Sequence, residues 1–293
     1  MPIIPARGVF VKEGGGRGSN DGPSPASRRE GKTLFVDVVF TPGELVAVDW
    51  SLFGAAAVVD VLRFTTTALT ALEHGAAGVV PVATPEEALA WRRQGAVLGG
   101  ERGAVRIPGF DLGNSPFDYK PEAVAGKLVV MTTTNGTQAF SRLARAASEG
   151  GENPSGLAVF AACLRNAAAA ARALAQEAQH RGKGALIVCS GTDGRFSRED
   201  AYCAALIVER LQALAAVEPG DGAVAALRLK AGAGDGSQAA LSELTASFHG
   251  RRLLRLGLRD DVAFCAQVDA SGAVPVLRDG RLVLAGTRPE RGE

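Results

Sequence analysis

The stretch VCSGTDGRFS, residues 188–197, places Cys189 six positions before Arg195, with small residues and glycines between. C-x₅-R is the spacing of loops in which a thiolate attacks phosphorus while a planar guanidinium clamps the phosphate oxygens. In such loops a Ser or Thr usually follows the arginine and a histidine often precedes the cysteine. Here those positions hold Phe196 and Val188. The competing reading of Cys189 is a small, buried residue that ends a strand. Water, Asp60 and Cys189 all remain open as the attacking group.

Two further segments resemble this one. VVDVLRFTTT (58–67) and VVMTTTNGT (129–137) each run from an apolar stretch into hydroxyls. Residues of this kind, Thr65, Thr66, Thr132, Thr133, Thr134, Asn135, Gly191 and Thr192, leave backbone N–H groups bare and add O–H donors at the positive end of a helix. Any one such turn could be a plain helix cap. Three of them, each after an apolar run, point to a shared anion pocket. Arg63, Arg102 and Arg195 stand beside these turns or among glycines, where their forks suit phosphate, carboxylate or sulfonate. Acids stand in the same places: Asp60, Glu101, Asp111 and Asp200. Carboxylates beside an anion site can hold Mg²⁺ or act as base or nucleophile. Asp60, inside VVDVL, needs a partner or a task, because a charge in an apolar strand is costly. Asp200 lies three after Ser197 and could complete a helix cap.

These turns need elements to present them. LFVDVVF, AAAVVDVL, GVVPVA, KLVVMT, LAVFAA and ALIVCS read as strands. They alternate with helical patterns: TTTALTALEHG, TPEEALAWRRQ with Thr84 and Pro85 as start signals, TNGTQAFSRLARAA, the Ala-rich run after Asn166, and SREDAYCAALIVERLQAL. Continuously apolar strands alternating with helices predict an α/β fold, a mostly parallel sheet covered on both faces. Ligands bind at the carboxyl ends of such strands. GDGAVAALRLKAGAGDGSQ (220–238) reads as a Gly-rich excursion, and VAFCAQV, AVPVL and RLVLAG as short strands that could add antiparallel edges. Residues 1–33, rich in Gly, Ser, Pro and Arg, read as a disordered tail, and residues 34–293 as one domain. His74, His180 and His249 sit near expected helix ends and read as caps.

Composition narrows the function. A formal net charge of +1 and 5% aromatic residues argue against nucleic acid as a partner. The four cysteines form no C-x₂-C pair, which suits reduced thiols in a cytoplasmic protein. No apolar stretch of 18 residues suggests a membrane span. The signatures G-x₄-G-K-[ST] and D-x-D-x-T are absent. Homo-oligomerisation stays open.

Taken in order, VVDVLRFTTTALTALEHGA, LGGERGAVRIPGFDLGNSP, VVMTTTNGTQA, SGTDGRFSREDAYCAALIVERL and HGRRLLRLGLRDDVAFCAQVD resemble the 2-phosphosulfolactate phosphatase family, over about Val36 to Val283. The resemblance implies a three-layer α/β/α fold with a mixed sheet. It also implies a Mg²⁺-dependent hydrolysis of (2R)-2-phospho-3-sulfolactate to 3-sulfolactate and phosphate. In methanogens that step belongs to coenzyme M biosynthesis. A small anionic organophosphate with three acidic groups would suit the donors above. Asp60, Glu101 and Asp111 are then the metal candidates, with Asp60 and Glu101 first. Asp60, Arg195 and Cys189 are the catalytic candidates. Phe64 departs from the small residue expected there and could narrow the pocket. A phosphatase for another phospho-hydroxy acid and a non-catalytic binding protein for an anionic metabolite are the alternatives.

Overall fold

A computed structural model describes residues 33–149 and 156–286, which belong to one compact unit. The expected tail lies outside the described residues except for its last position. The first half of the chain contains β1 (Leu34–Val39), β2 (Phe53–Val59), α1 (Phe64–Glu73), β3 (Gly78–Pro81), α2 (Pro85–Ala90), β4 (Val97–Arg102), β5 (Val105–Arg106), α3 (Pro121–Val124), β6 (Leu128–Thr132) and α4 (Gly136–Glu149). It continues through β7 (Ala158–Ala162), α5 (Ala167–His180), β8 (Gly184–Cys189), α6 (Arg198–Leu214), β9 (Val217–Pro219), α7 (Asp221–Lys230) and α8 (Gly236–Ala246). α9 (Phe248–Arg255), α10 (Arg259–Cys265), β10 (Pro275–Arg278) and β11 (Arg281–Leu284) complete it.

The strands form one mixed sheet in the order β5-β4-β6-β3-β11-β10-β7-β2-β8-β1-β9. The pairs β4–β6, β6–β3, β7–β2, β2–β8, β8–β1 and β1–β9 are parallel. The expected α/β class therefore holds. β2 (FGAAAVV) and β8 (GALIVC) are buried at every residue, as continuous apolar strands covered on both faces should be. One face packs Val36, Ala57 and Ile187 against Leu174 of α5 and Leu206 of α6. The other packs Val58, Val129 and Met131 against Phe64 of α1 and Phe140 and Leu143 of α4. Phe64 meets Phe140 edge-on at 5.8 Å, so it fills the core and narrows no pocket.

β2 and β6 are five strand spacings apart in the sheet order, about 24 Å if the sheet were flat. Yet a Cβ on Gly136 would lie 2.4 Å from Asp60 Oδ2. The sheet must therefore curl around α1 and α4, which brings distant strand ends together.

Three local expectations change. VAFCAQV is not a strand: its first residues lie in α10, where buried Asp261, Val262 and Cys265 follow helical spacing. AVPVL and RLVLAG do form strands, but β10 and β11 are central and not at an edge. Their hairpin turns at Asp279 and Gly280, both at positive φ (48° and 76°), as a type I′ turn requires. It pairs antiparallel with β7 and β3 and joins the two parallel halves. The Gly-rich stretch 220–238 holds α7 and the start of α8.

Candidate active site

The carboxyl end of β2 delivers Asp60. Its Oδ1 accepts the Phe64 N–H at 3.2 Å. Thr65 serves the same turn, accepting from the Asp60 N–H (3.1 Å) and donating to the Asp60 carbonyl (2.7 Å). Thr66 donates to the Val61 carbonyl at 3.0 Å. These two threonines tie the first turn of α1 back to the end of β2, and neither lines the cleft. Gly136 is needed at the start of α4 because any side chain there would strike Asp60 and Phe64.

Arg63 is almost wholly buried, and its Nη1 donates to Asp261 of α10 at 2.5 Å. Asp261 also accepts from the Ser115 hydroxyl at 3.0 Å. Glu101, at the end of β4, is clamped by its neighbours: Oε1 accepts the N–H and hydroxyl of Thr134 (2.9 and 3.0 Å), and Oε2 the Ala104 N–H (2.6 Å). The turn after β6 is tied to the one after β8, where the Asp193 N–H donates to Asn135 Oδ1 at 3.0 Å. Asp200, buried in α6, accepts from the Val61 and Gly191 N–H groups at 3.0 Å each. It staples the β2 and β8 turns together, and Ser197 caps α6 onto its N–H. Gly191 sits at φ 69°, where a Cβ would lie 2.3 Å from the Arg195 carbonyl.

Together these turns enclose a cleft. Asp60, Glu101, Arg63 and Asn114 line it, with His249 and Arg252 from α9. Thr133, Thr134, Asn135 and Thr192 complete its wall. Asn114 Oδ1 and His249 Nδ1 are buried without a hydrogen-bond partner among the described residues. Buried polar atoms are rarely left so, and both residues line the cleft. Burial above all, and the nearby Arg63 and Arg252 charges, push His249 down to about 4, so its imidazole is neutral at neutral pH. Burial pushes Asp60 up to about 7, helped by the charges of Glu101 and Glu199 and opposed by the Phe64 N–H.

The structure therefore brings Asp60, Arg63, Glu101, Thr133, Thr134, Asn135 and Thr192 to one cleft. Other expected residues stand apart. Arg195 is exposed; its main chain closes a tight turn with Thr192 (2.9 and 3.0 Å), and its side chain faces an adjoining hollow with Phe196 and Phe248. Cys189 is fully buried in the core, and burial, with the Asp200 charge, pushes its thiol well up. That environment opposes a thiolate. Asp111 is largely exposed and holds the Leu98 N–H (2.8 Å) and Arg92 (3.4 Å), away from the cleft. Arg102 is exposed and donates to Thr132 Oγ1 at 3.0 Å and to the Glu101 carbonyl at 2.7 Å.

Asn114, Arg252, Asp261 and His249 escaped the sequence reading as site residues. The His74 ring turns away from the end of α1, its Nδ1 2.7 Å from the Tyr119 carbonyl oxygen, and His249 lines the cleft. The available signal was the spacing of His249 and Arg252, three apart and so on one helical face.

Known proteins of similar sequence share one description. A family model described as 2-phosphosulpholactate phosphatase matches residues 41–280. A probable 2-phosphosulfolactate phosphatase of Deinococcus radiodurans is 47% identical over 234 residues, covering 79% of this chain and 90% of that protein. Proteins of the same description from Thermus thermophilus (42% identical; 84% and 94% covered) and Thermotoga petrophila (40%; 85% and 98%) are similar to it along most of their lengths. The chain belongs to the 2-phosphosulfolactate phosphatase family.

Proposed function

We propose that this protein is a phosphomonoesterase that hydrolyses 2-phospho-3-sulfolactate to 3-sulfolactate and inorganic phosphate. The observation that carries this reading is the cleft in which buried Arg63, aimed by Asp261, and Arg252 face Asp60 and Glu101. Guanidinium groups there suit phosphoryl oxygens, and positioned donors in a partly dry site stabilise the charge that develops at phosphorus.

The donor set fits Mg²⁺. Two carboxylates and the unpartnered Asn114 Oδ1 offer hard oxygens, and a bound cation would offset the desolvation that holds Asp60 at about 7. Asp60 and Glu101 would hold the ion, which would polarise the phosphoryl oxygens and offset the repulsion between these carboxylates and a phosphate dianion.

The remaining work falls to the chain. Arg63 and Arg252 hold the phosphoryl group. The attacking group is water, oriented by the Asn114 carbonyl oxygen and by Asp60. His249, neutral and unpartnered at Nδ1, hydrogen-bonds the substrate. Four buried, free cysteines suit a reducing compartment, and we place the protein in the cytoplasm. No helix among the described residues is long and apolar enough to cross a membrane.

The test is phosphate release from a panel of phosphorylated hydroxy acids, with Mg²⁺ or with chelator. Release that favours 2-phospho-3-sulfolactate and stops on chelation is expected. No release from any member, with tight binding of 3-sulfolactate, would make this a binding protein instead.

A further inference from the structure

Ser190 is a buried residue that the phosphoryl cleft does not use. Its N–H donates to the Val59 carbonyl at 2.8 Å, which sets it beside Asp60, about 5 Å away across one strand spacing. Ser190 is 3% exposed, and its hydroxyl has no hydrogen-bond partner among the described residues. A buried hydroxyl without a partner destabilises a fold unless something else supplies the bond.

Ser190 borders a second hollow, also lined by Arg102, Arg142 and the Thr133–Asn135 turn. That turn lines the phosphoryl cleft too, so the two hollows are neighbours. Their chemistry differs. Asp60, Glu101 and Asp193 line the phosphoryl cleft, whereas no acidic side chain lines the second hollow. Its charged side chains are the two arginines.

We infer that this hollow, with Ser190 at its floor and Arg102 and Arg142 at its sides, is the subsite for the sulfonate arm of the substrate. The inference rests on the phosphatase reading above. A sulfonate is a permanent anion with three oxygens on a tetrahedral centre, so it needs donors from several directions. The end of β4, α4 and the end of β8 supply them from three. The sulfonate lies within a few bonds of the phosphate ester, which matches the short step from Asp60 to Ser190. Removing the Ser190 hydroxyl takes away a donor that the apo fold leaves unused, so Ser190→Ala should not lower the melting temperature.

The experiment compares kcat/KM for 2-phospho-3-sulfolactate and 2-phospholactate, which lacks the sulfonate, in wild type, Ser190→Ala and Arg142→Gln. Wild type should prefer the sulfonated ester, and each variant should cut that preference about tenfold, chiefly through KM, the scale of a lost hydrogen bond to a charged group. An unchanged preference in the variants, or none in wild type, overturns the subsite. Should wild type hydrolyse neither ester, the phosphatase reading fails by itself. The subsite is then judged by calorimetric titration with 3-sulfolactate and lactate. Tighter binding of 3-sulfolactate, lost about tenfold in both variants, keeps it; equal binding of the two acids overturns it.

Discussion

Arg63 and Asp261, 198 residues apart in sequence, form a buried ion pair at 2.5 Å on the wall of the cleft. The pair locks α10 to the turn after β2 and directs the guanidinium. Breaking a buried pair by removing one partner typically costs about 3–5 kcal/mol, because the other charge is left buried. Asp261→Asn keeps the shape and removes the charge. It should lower the melting temperature by several degrees and raise KM for the phosphoester. Inorganic phosphate, a substitute counter-charge for Arg63, should recover part of the lost thermal stability. A melt unaffected by the substitution would mean that the pair does not brace the site.

Asp60 gives a signed pH dependence. Its folded-state value is raised to about 7 from an ordinary value near 4. A raised carboxyl stabilises the fold fully below its unfolded value, and that contribution is lost as pH climbs through 7. Burial raises Asp200 and Glu199 in the same direction, so a variant must isolate Asp60. In chelator, the wild-type melting temperature should fall relative to Asp60→Asn by a few degrees between pH 5 and pH 8. Mg²⁺ should restore the wild type at pH 8 and do little for Asp60→Asn. Parallel curves for the two proteins across that range would contradict the assignment.

Cys189 should be dispensable for chemistry. Its thiol is buried in the core and strongly held in the neutral form. Cys189→Ala should keep turnover within a few-fold of wild type, at the cost of a small cavity and about 1 kcal/mol. A loss of a hundredfold or more in kcat, with the melt intact, would bring the thiolate mechanism back.

Arg252 and Arg195 should separate. Arg252 lines the cleft, while Arg195 is exposed beside an adjoining hollow. Loss of a charge-stabilising donor typically lowers turnover by about 10²–10³. Arg252→Ala should therefore fall by about that much, and His249→Ala by about 10². Arg195→Ala should change kcat less than threefold. Steady-state rates at saturating substrate decide between them, and equal losses at Arg195 and Arg252 would overturn the placement.

The sequence alone was enough for the alternation of strands and helices, since β2 and β8 are apolar throughout and α2 carries its Thr84–Pro85 start signal. It also sufficed for the family, through five separated motifs. It placed Asp60, Arg63, Glu101 and Thr133 at strand ends, because a charge or hydroxyl after an apolar run can be seen without coordinates. Tertiary structure decided which of those ends meet. Neighbours in sequence share a turn, but only the curl of the sheet around α1 and α4 sets Gly136 against Asp60. The bonding of Thr65 and Thr66 back to the end of β2, and the placement of His249 and Asn114 on the cleft with Asp261 paired to Arg63, were decided there too. A hydroxyl or an imidazole is a cap or a ligand contact according to what packs beside it, and that neighbour comes from a distant part of the chain.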